Sequence, residues 1–391
     1  MFFVFTPSTS VLLFFWVQSL IFAGLLLKAA YENQDRSSKW LSFFIFLCVL
    51  YYTPFMCGYS GWYGKDGFRD FLFFVPFQQF FLMGPVIYFY TRTLLQSDFK
   101  LSRRDYWHFL PAALYLFYSL IVFVVDFFIL DEYYFYADGK DKDLSTWYQL
   151  SGLAFIIAYV IVSTRHYRTY RRRIVEEVSY ADAVRFSWVQ KYLIALLIIL
   201  IFRIGFFIAY PKFGSFGKKF WYYLIFAALA YYIAFEAYAH SIKSGIFPLL
   251  TSPAPQNDSP PEIEENAKVP KSPLAGEAFT KGKKQILELI EEEKIYQNPT
   301  LSLHDVASKL AITTKQVSQI INQGFEMNFN DFVNHYRIKD FKAQIAAGEQ
   351  QKFTLLSIAL GCGFNSKTTF NRVFKRNEGM TPLQYVEQHK L

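Results

Sequence analysis

The sequence predicts an all-α protein in which a seven-helix transmembrane bundle is followed by a flexible linker and a polar helical domain. Of its 391 residues, 53% are hydrophobic and 20% aromatic, whereas only 18% are charged. The apolar residues are concentrated in blocks of about twenty within the first 240 positions, and the rest of the chain is as polar as a soluble protein. The predicted boundaries are 1–243 for the membrane domain, 244–275 for the linker and 276–391 for the polar domain.

Seven stretches are long and apolar enough to cross a bilayer as helices, which takes about 20 residues. They cover residues 9–29, 39–60, 71–91, 107–130, 147–166, 187–210 and 220–241. The third stretch is the least regular, because Pro76 and Pro85 interrupt it, and counts of six or eight spans stay open. No Lys or Arg precedes Lys28, so we interpret the first stretch as a retained span rather than a cleaved signal.

The positive charges of the connecting loops predict the orientation of the bundle. The loops after spans one, three and five contain thirteen Lys and Arg, whereas the other loops contain seven. Because cytoplasmic loops carry the excess of positive charge, we expect a multi-pass inner-membrane protein with its N-terminus outside and its C-terminal domain in the cytoplasm. The run from Arg168 to Arg173 is interpreted as a topology anchor or a contact with anionic membrane lipids.

Polar side chains within the spans are costly and are therefore candidates for sensing a ligand. The predicted ligand-sensing residues are Gln18, Tyr52, Gln78, Gln79, Asp126 and Arg203. We expect most of them at similar depth in the outer half of the bilayer, around a polar cavity in which Asp126 pairs with Arg203. The alternative is a structural ion pair that holds the bundle together and binds nothing.

The sequence has no recognisable catalytic or metal-binding pattern. The three cysteines, Cys48, Cys57 and Cys362, form no CxxC pair, and the six histidines are dispersed. There is no phosphate-binding glycine loop either. We therefore expect no metal, no cofactor and no enzymatic activity.

The linker is marked by seven prolines between Pro248 and Pro273. Such a composition does not bury a core, which predicts an extended, mobile segment. Apolar residues at helical spacing follow in the stretch 283–294, and they include Ile286 and Ile290. This amphipathic helix is expected to pack either on the following domain or on its copy in the second subunit of a homodimer.

A helix-turn-helix pattern begins at Leu303. One apolar stripe is formed by Leu303, Val306, Ala307 and Leu310, and a second by Val317, Ile320 and Ile321. The short break between them ends at Thr313, which is placed to cap the second helix. The outward side chains of that helix are polar and can donate or accept hydrogen bonds, as in helices that read DNA bases.

The same pattern recurs 54 residues downstream. A first helix contains Ile358 and Ala359, and Asn365 or Ser366 is expected to cap a second helix that buries Phe370, Val373 and Phe374. Between the two copies, residues 330–347 predict a long helix that fixes the two modules relative to each other. Two copies favour DNA binding over a plain solvated surface.

Residues 299–387 resemble the DNA-binding domain of the AraC family of transcription regulators. The motifs that carry this resemblance are Leu303-x-x-Val306-Ala307, Asn334-x-x-Arg337-x-x-x-Phe341, Ile358-Ala359, Gly363-Phe364-Asn365-Ser366, Phe370-x-x-x-Phe374-Lys375 and Gly379-Met380-Thr381-Pro382-x-x-Tyr385. The chain departs from the family pattern at Ala311, where a glycine is usual, at Cys362, and at Phe341, where alanine is common.

The resemblance implies that two recognition helices enter successive major-groove segments of double-stranded DNA. The base-reading candidates implied by matched position are Lys315, Ser318, Gln319, Thr368, Thr369 and Arg372. Contacts with phosphate are expected from Ser366, Lys367, Lys375 and Arg376. Arg372 is the candidate for guanine, because a guanidinium contacts O6 and N7 together.

The whole chain resembles membrane-bound helix-turn-helix regulators of bacteria, in which sensing and DNA binding share one polypeptide. The sequence therefore predicts a one-component regulator whose membrane bundle senses an unknown signal ligand from outside or within the membrane. Two alternatives are a transporter or lipid-modifying protein with a regulatory DNA-binding tail, and a tether that holds DNA at the membrane without sensing.

Overall fold

A computed structural model of the chain describes residues 3–96, 99–137, 139, 141–181, 187–209, 219–246 and 276–389. Regular structure in these residues is helical, apart from a single β-bridge between Val178 and Ser302. The predicted all-α fold class is therefore confirmed. The described residues form two compact units, one containing 3–167 and 187–246 and the other containing 168–181 and 276–389. The predicted flexible linker, 244–275, lies outside the described residues except for its first three positions, which end a helix.

The first unit is built from long apolar helices. Its helices are α1 Pro7–Glu32, α2 Arg36–Tyr59, α3 Phe68–Phe74, α4 Phe80–Leu95, α5 Leu110–Val124, α6 Thr146–Glu177, α7 Ser187–Ala209 and α8 Phe220–Ile246. Short 3-10 and π-helical turns extend α5 to the continuous segment Asp105–Leu130. Six of these segments are long and apolar enough to cross a membrane, and α4 is a shorter apolar helix.

The third predicted span, 71–91, is wrong as a continuous helix. In the structure α3 ends at Phe74, Val75 is extended, and α4 begins only at Phe80. The cause is Pro76, which has no N–H to donate and disfavours a helical conformation of the residue before it. By contrast, Pro85 lies inside α4 without ending it. The seven predicted spans therefore correspond to six long helices and the shorter α4.

The surface of the first unit is strongly apolar. Phe128, Ile208 and Trp221 expose 68%, 77% and 67% of their surface. Helix α2 is the most enclosed of the six long segments and contacts α1, α4 and α8. Monomeric soluble proteins rarely expose apolar surface on this scale, and a lipid environment is the usual reason for it.

The second unit contains two apolar cores that share one long helix. Its helices are α9 Glu277–Glu291, α10 Leu303–Leu310, α11 Thr314–Gly324, α12 Phe329–Ala346, α13 Leu355–Gly361, α14 Lys367–Glu378 and α15 Pro382–Gln388. The first half of α12 supplies Phe332 and Val333 to the core around α10 and α11. Its second half supplies Phe341 and Ile345 to the core around α13 and α14. Helix α12 therefore holds the two modules together, as the sequence predicted.

The amphipathic helix predicted at 283–294 is α9, and its contacts decide between the two packing alternatives given for it. Ile286, Leu289 and Ile290 are buried in the first core. Gly282 lets α9 approach α11 closely, since a Cβ at this position would lie 2.6 Å from Ile320 Cδ1. The amphipathic helix thus packs on the domain that follows it.

Candidate nucleic-acid interface

The first helix-turn-helix unit consists of α10, a short turn and α11. Ser302 begins α10 and exchanges capping hydrogen bonds with Asp305. Ala311 ends this helix in a left-handed conformation with φ 54°, the conformation for which glycine is usual in this turn. Thr313 then caps α11, because its Oγ1 accepts from the Gln316 amide at 3.2 Å. The predicted turn and its predicted cap are both confirmed.

Helix α11 presents a polar outer face. Val317, Ile320 and Ile321 are buried, whereas Lys315 is exposed and Ser318 and Gln319 are half-buried. Ser318 and Gln319 each bond with a residue four positions further along the same helix, at 3.3 Å. Both side chains remain accessible from outside, as base reading requires.

The second unit consists of α13, a tight turn and α14. Thr354 caps α13, and Ser366 caps α14 by accepting from the Thr369 amide at 3.1 Å. Of the two predicted caps, Ser366 is therefore the one that begins the helix. Phe370 and Phe374 fill the core beneath it. Lys367, Thr368, Arg372 and Lys375 are exposed on the opposite face of α14.

Thr369 was expected on the outer face of α14, and this expectation is wrong. Its side chain is only 9% exposed, and its Oγ1 lies 3.1 Å from the Ser366 hydroxyl. Thr369 precedes the buried Val373 by four residues, so both lie on the same side of the helix. The residue supports the start of α14 rather than facing outward.

Arg376 has an internal partner that the sequence did not indicate. Its guanidinium forms an ion pair with Asp331 in the first turn of α12, and both side chains are partly exposed. Nearby, Lys342 of α12 pairs with Glu378 of α14 at 2.9 Å. These pairs join the second recognition helix to the helix shared by the two cores. Arg376 is therefore less available for phosphate than Lys367 or Lys375.

Arg337 lies on α12 and is 1% exposed. Its Nε donates to the Tyr296 carbonyl and its Nη2 to the Asn298 carbonyl, both at 2.8 Å. Burial lowers the pKa of Arg337 to about 9, although the Cys362 thiol opposes this shift. The carbonyl oxygens of Tyr296 and Asn298 thus compensate the charge of Arg337. Hydrogen bonds from a charged donor are stronger than those between neutral groups.

Gly363 brings the second module against this arginine. Its φ is 97°, and a Cβ there would lie 2.9 Å from both Arg337 Nε and Gln297 Cα, and would collide with the Tyr296 carbonyl oxygen. The Phe364 ring lies over the guanidinium at 5.9 Å. Arg337 and Gly363 are both motif residues in the sequence, but their contact was not predicted.

The predicted ligand-sensing residues in the first unit fall into separate places. Gln78 and Arg203 share one buried hydrogen-bond network, in which Gln149 donates to Gln78 Oε1 at 2.6 Å and accepts from Arg203. Arg203 also donates to the hydroxyls of Tyr51 and Tyr222. The expected partner of Arg203, Asp126, instead accepts from the Phe135 amide at 3.1 Å. The predicted Asp126–Arg203 pair is therefore wrong.

The remaining three candidates lie outside this network. Gln79 donates to the Pro76 carbonyl in the break before α4. Tyr52 is fully buried on α2. Gln18 is half-buried on α1. Asp126 lies in the π-helical turn at the end of α5. Within the described residues, its carboxylate accepts from the Phe135 amide in the loop that follows this turn and does not bond to α7.

Sequence reasoning missed Gln149 and Asp143. Asp143 accepts from the Gln78 amide at 2.9 Å and from the Tyr115 hydroxyl, and it lies in the connection before α6. Burial raises the pKa of Asp143 to about 6. Gln149 is a polar residue inside a predicted span, so the criterion that selected Gln78 would have found it. No local pattern distinguished Asp143 from the other acids of its loop.

Comparison with known proteins supports the assignment of the second unit. Residues 306–388 match the family described as Helix-turn-helix domain. No curated protein and no solved structure matches the chain. The match contains both recognition helices and the helix between them, and it supports a DNA-binding domain of the AraC type.

Proposed function

We propose that this chain is a membrane-anchored transcription regulator that binds specific promoter DNA through its two helix-turn-helix units. The observation that carries the proposal is the pair of capped recognition helices, α11 and α14, within the residues that match the helix-turn-helix family. Each helix buries an apolar side in its own core and leaves a polar side outward. Recognition helices of this kind read base edges in the major groove.

We assign roles in DNA binding to these side chains according to their exposure on α11 and α14. Lys315, Ser318 and Gln319 read bases from the first helix, and Thr368 and Arg372 read them from the second. Arg372 contacts guanine, because its fork of donors matches O6 and N7. Lys367 and Lys375 bind phosphates. Ser366 caps α14, and the N-terminus of this helix faces the phosphate backbone of the DNA. Arg376 has a smaller role in phosphate contact because it also pairs with Asp331.

The membrane part of the proposal rests on the six long apolar helices and their exposed apolar faces. In the proposed topology the protein lies in the inner membrane, with the N-terminus outside and residues 276–391 in the cytoplasm. The thirteen-to-seven excess of Lys and Arg in alternate loops supports this orientation. The stretch 244–275 serves as the linker between the two units in this proposal, and two copies of the chain pair their DNA-binding domains at neighbouring half-sites.

We place signal sensing in the first unit, at the network around Arg203. A buried guanidinium held by Tyr51, Tyr222 and Gln149 is costly in a membrane, and such residues usually have a function. The network continues through Gln78 to Asp143 in the connection before α6. The signal is a ligand that reaches this network from outside or from within the membrane.

The proposal is tested by selecting DNA with the full-length protein in lipid nanodiscs. The protein is incubated with a pool of random duplexes, and bound DNA is recovered and sequenced. The wild type is expected to enrich one motif with two reading centres. Arg372→Ala is expected to lose preference at one position at a cost of about 1–3 kcal/mol.

The matched control is Lys352→Ala, which removes one exposed positive charge outside both recognition helices. This variant should enrich the same motif as the wild type. Recovery of random sequence by the wild type would contradict the proposed function. An unchanged motif in Arg372→Ala would contradict the role of that residue.

A further inference from the structure

A short peptide between two apolar helices is packed into the DNA-binding unit. It consists of residues 178–181, which follow the end of α6 at Glu177. Val178 is 2% exposed, Ser179 1%, and Ala181 0%. These residues belong to the same compact unit as α9 to α15, although 95 residues, 182–276, separate them from the start of α9. We refer to residues 178–181 as the docking peptide.

The backbone of the docking peptide pairs with the entry to the first helix-turn-helix unit. Val178 forms an antiparallel bridge with Ser302, the cap of α10. The Ser179 amide donates to the Leu301 carbonyl at 3.0 Å. The peptide therefore adds a short strand-like contact to the segment that begins the first module.

Helix α12 holds the same peptide through side chains. Asn330 Nδ2 donates to the Ser179 carbonyl at 2.8 Å and to the Val178 carbonyl at 3.3 Å. Arg337 donates through Nη2 to Ser179 Oγ at 3.1 Å and through Nη1 to the Ser179 carbonyl at 3.4 Å. Asn334 orients Asn330 by donating to its Oδ1 at 3.1 Å. The three side chains are spaced by four and three residues, so they share one face of α12.

The chemistry of this face fits an extended backbone. Asn330, Asn334 and Arg337 are 3%, 1% and 1% exposed, and an apolar surface laid over them would leave their donors unsatisfied. A peptide carbonyl presented to both Asn330 and Arg337 satisfies these donors, and Ser179 supplies it. The site is thus built for a polar backbone segment, and its occupant belongs to this chain.

Displacing the peptide would act on both modules at once. Helix α12 contributes to both cores, and Arg337 also bonds the carbonyls of Tyr296 and Asn298 ahead of α10. When Ser179 leaves this site, Arg337 loses the Ser179 carbonyl and hydroxyl as hydrogen-bond partners. Arg337 is also the residue that Gly363 of the second module contacts. The spacing of α11 and α14 on DNA depends on α12, because α12 joins their cores.

We infer that the docking peptide couples the connection between α6 and α7 to α12, and that its release weakens DNA binding. This inference rests on the proposed function and names its regulation. In the docked state α12 and the start of α10 are restrained, and the two recognition helices keep one spacing. A movement of α6 or α7 that withdraws Ser179 relaxes this restraint, so the membrane segment acts on DNA binding through a defined contact.

The first test measures docking by hydrogen exchange of the Ser179 amide in the full-length protein in nanodiscs. The wild-type amide should exchange slowly because it donates to Leu301. Asn330→Ala removes two bonds to the peptide and should raise the exchange rate by about tenfold or more. Ser179→Ala, a milder change that removes only the hydroxyl acceptor of Arg337, should raise it by about threefold.

Two exposed residues of the same types provide matched controls. Asn377→Ala and Ser357→Ala alter α14 and α13 without touching the docking peptide. Both should leave the exchange of Ser179 at the wild-type rate. Exchange that is unchanged in Asn330→Ala and Ser179→Ala would overturn the docking contact itself.

The second test measures coupling with DNA selected by the wild type. Asn330→Ala should weaken binding by about threefold to tenfold, which is within the usual range of coupling between sites. A disulfide between Val178→Cys and Ser302→Cys should restore this affinity, since residues paired in an antiparallel bridge lie about 4.5–5.5 Å apart at Cα. The three native cysteines are free and buried, which limits their competition.

The outcomes separate the coupling from the proposed function. If the wild type binds no DNA selectively, the proposed function fails while the exchange result stands. If the wild type binds its motif and Asn330→Ala binds it equally well despite faster exchange, the coupling is overturned. Failure of the disulfide to restore affinity would likewise show that docking does not set DNA binding.

Discussion

At the level of single residues, polar side chains on α14 serve two different purposes. Thr368 points outward and is exposed, whereas Thr369 is 9% exposed and lies against the Ser366 cap. The two neighbouring threonines therefore lie on different sides of α14, and only Thr368 is available for the proposed contact with DNA. Substitution of each by valine keeps the side-chain shape and separates the roles.

Thr368→Val should change the base preference of the second reading centre, because it removes a donor and acceptor from the outer face. Thr369→Val should leave that preference unchanged and destabilise the domain by about 1 kcal/mol through the lost bond to Ser366. Selection of DNA from a random pool measures the preference, and thermal unfolding measures the stability. A changed motif in Thr369→Val would show that its inward position is wrong.

Lys375 tests the distinction between phosphate contact and base reading. Lys375→Ala should weaken binding to all sequences alike and reduce the slope of log affinity against log salt by about one. Titrations at several salt concentrations measure this slope, with Lys352→Ala as the control for loss of charge. A change in sequence preference without a change in slope would contradict the assignment of Lys375 to phosphate.

Residue-level prediction from the sequence succeeded where spacing decides the side chain's direction. The burial of Phe370, Val373 and Phe374 follows from helical periodicity, and it is found in the structure. Thr369 was predictable by the same rule, since Val373 is four residues further along. The partners of Arg203 were not predictable, because the neighbours of a polar side chain in a bundle depend on how separate helices pack.

At the level of elements, the turn between α13 and α14 fixes the second module against the first. Gly363 occupies this turn with a φ of 97° and touches Arg337 and Gln297. An L side chain is strained in this conformation, and a Cβ would also collide with the Tyr296 carbonyl. The position therefore requires glycine for two independent reasons.

Gly363→Ala should destabilise the second unit by about 2–4 kcal/mol. The measurement is thiol labelling of Cys362, which is buried and whose pKa burial raises to about 12. Labelling should become about 100-fold faster if opening of the unit limits it. Gly361→Ala is the matched control, since a Cβ there meets nothing within 4 Å. Equal labelling rates in the two variants would contradict the close approach at Gly363.

Elements were predicted well where strong local signals mark their ends. Thr313 and Ser366 begin their helices, and the long helix between the modules was expected at 330–347 and observed at Phe329–Ala346. The prediction of a continuous third span was wrong, because Pro76 breaks the helix although the stretch is predominantly apolar. Hydropathy alone does not register the lost hydrogen bond of a proline.

At the level of the whole molecule, two chemically different units share one chain. In the part of the chain that the structure describes, the first has an apolar surface and six helices of spanning length, and residues 306–388 of the second match a helix-turn-helix family. Composition alone predicted this division. It did not predict that residues 168–181 belong with the second unit, because the contacts of Ser179 with Asn330 and Arg337 join positions more than 150 residues apart.

The most direct test identifies the DNA that accompanies the full-length protein in the membrane fraction of crosslinked cells. The membranes are isolated, the protein is purified from them, and the recovered DNA is sequenced for the wild type and for Arg372→Ala. We predict a small set of promoter-proximal sites that share one motif and are lost in the variant. Recovery of the same DNA with both proteins, or of specific DNA only outside the membrane fraction, would contradict a single membrane-bound reader of promoters.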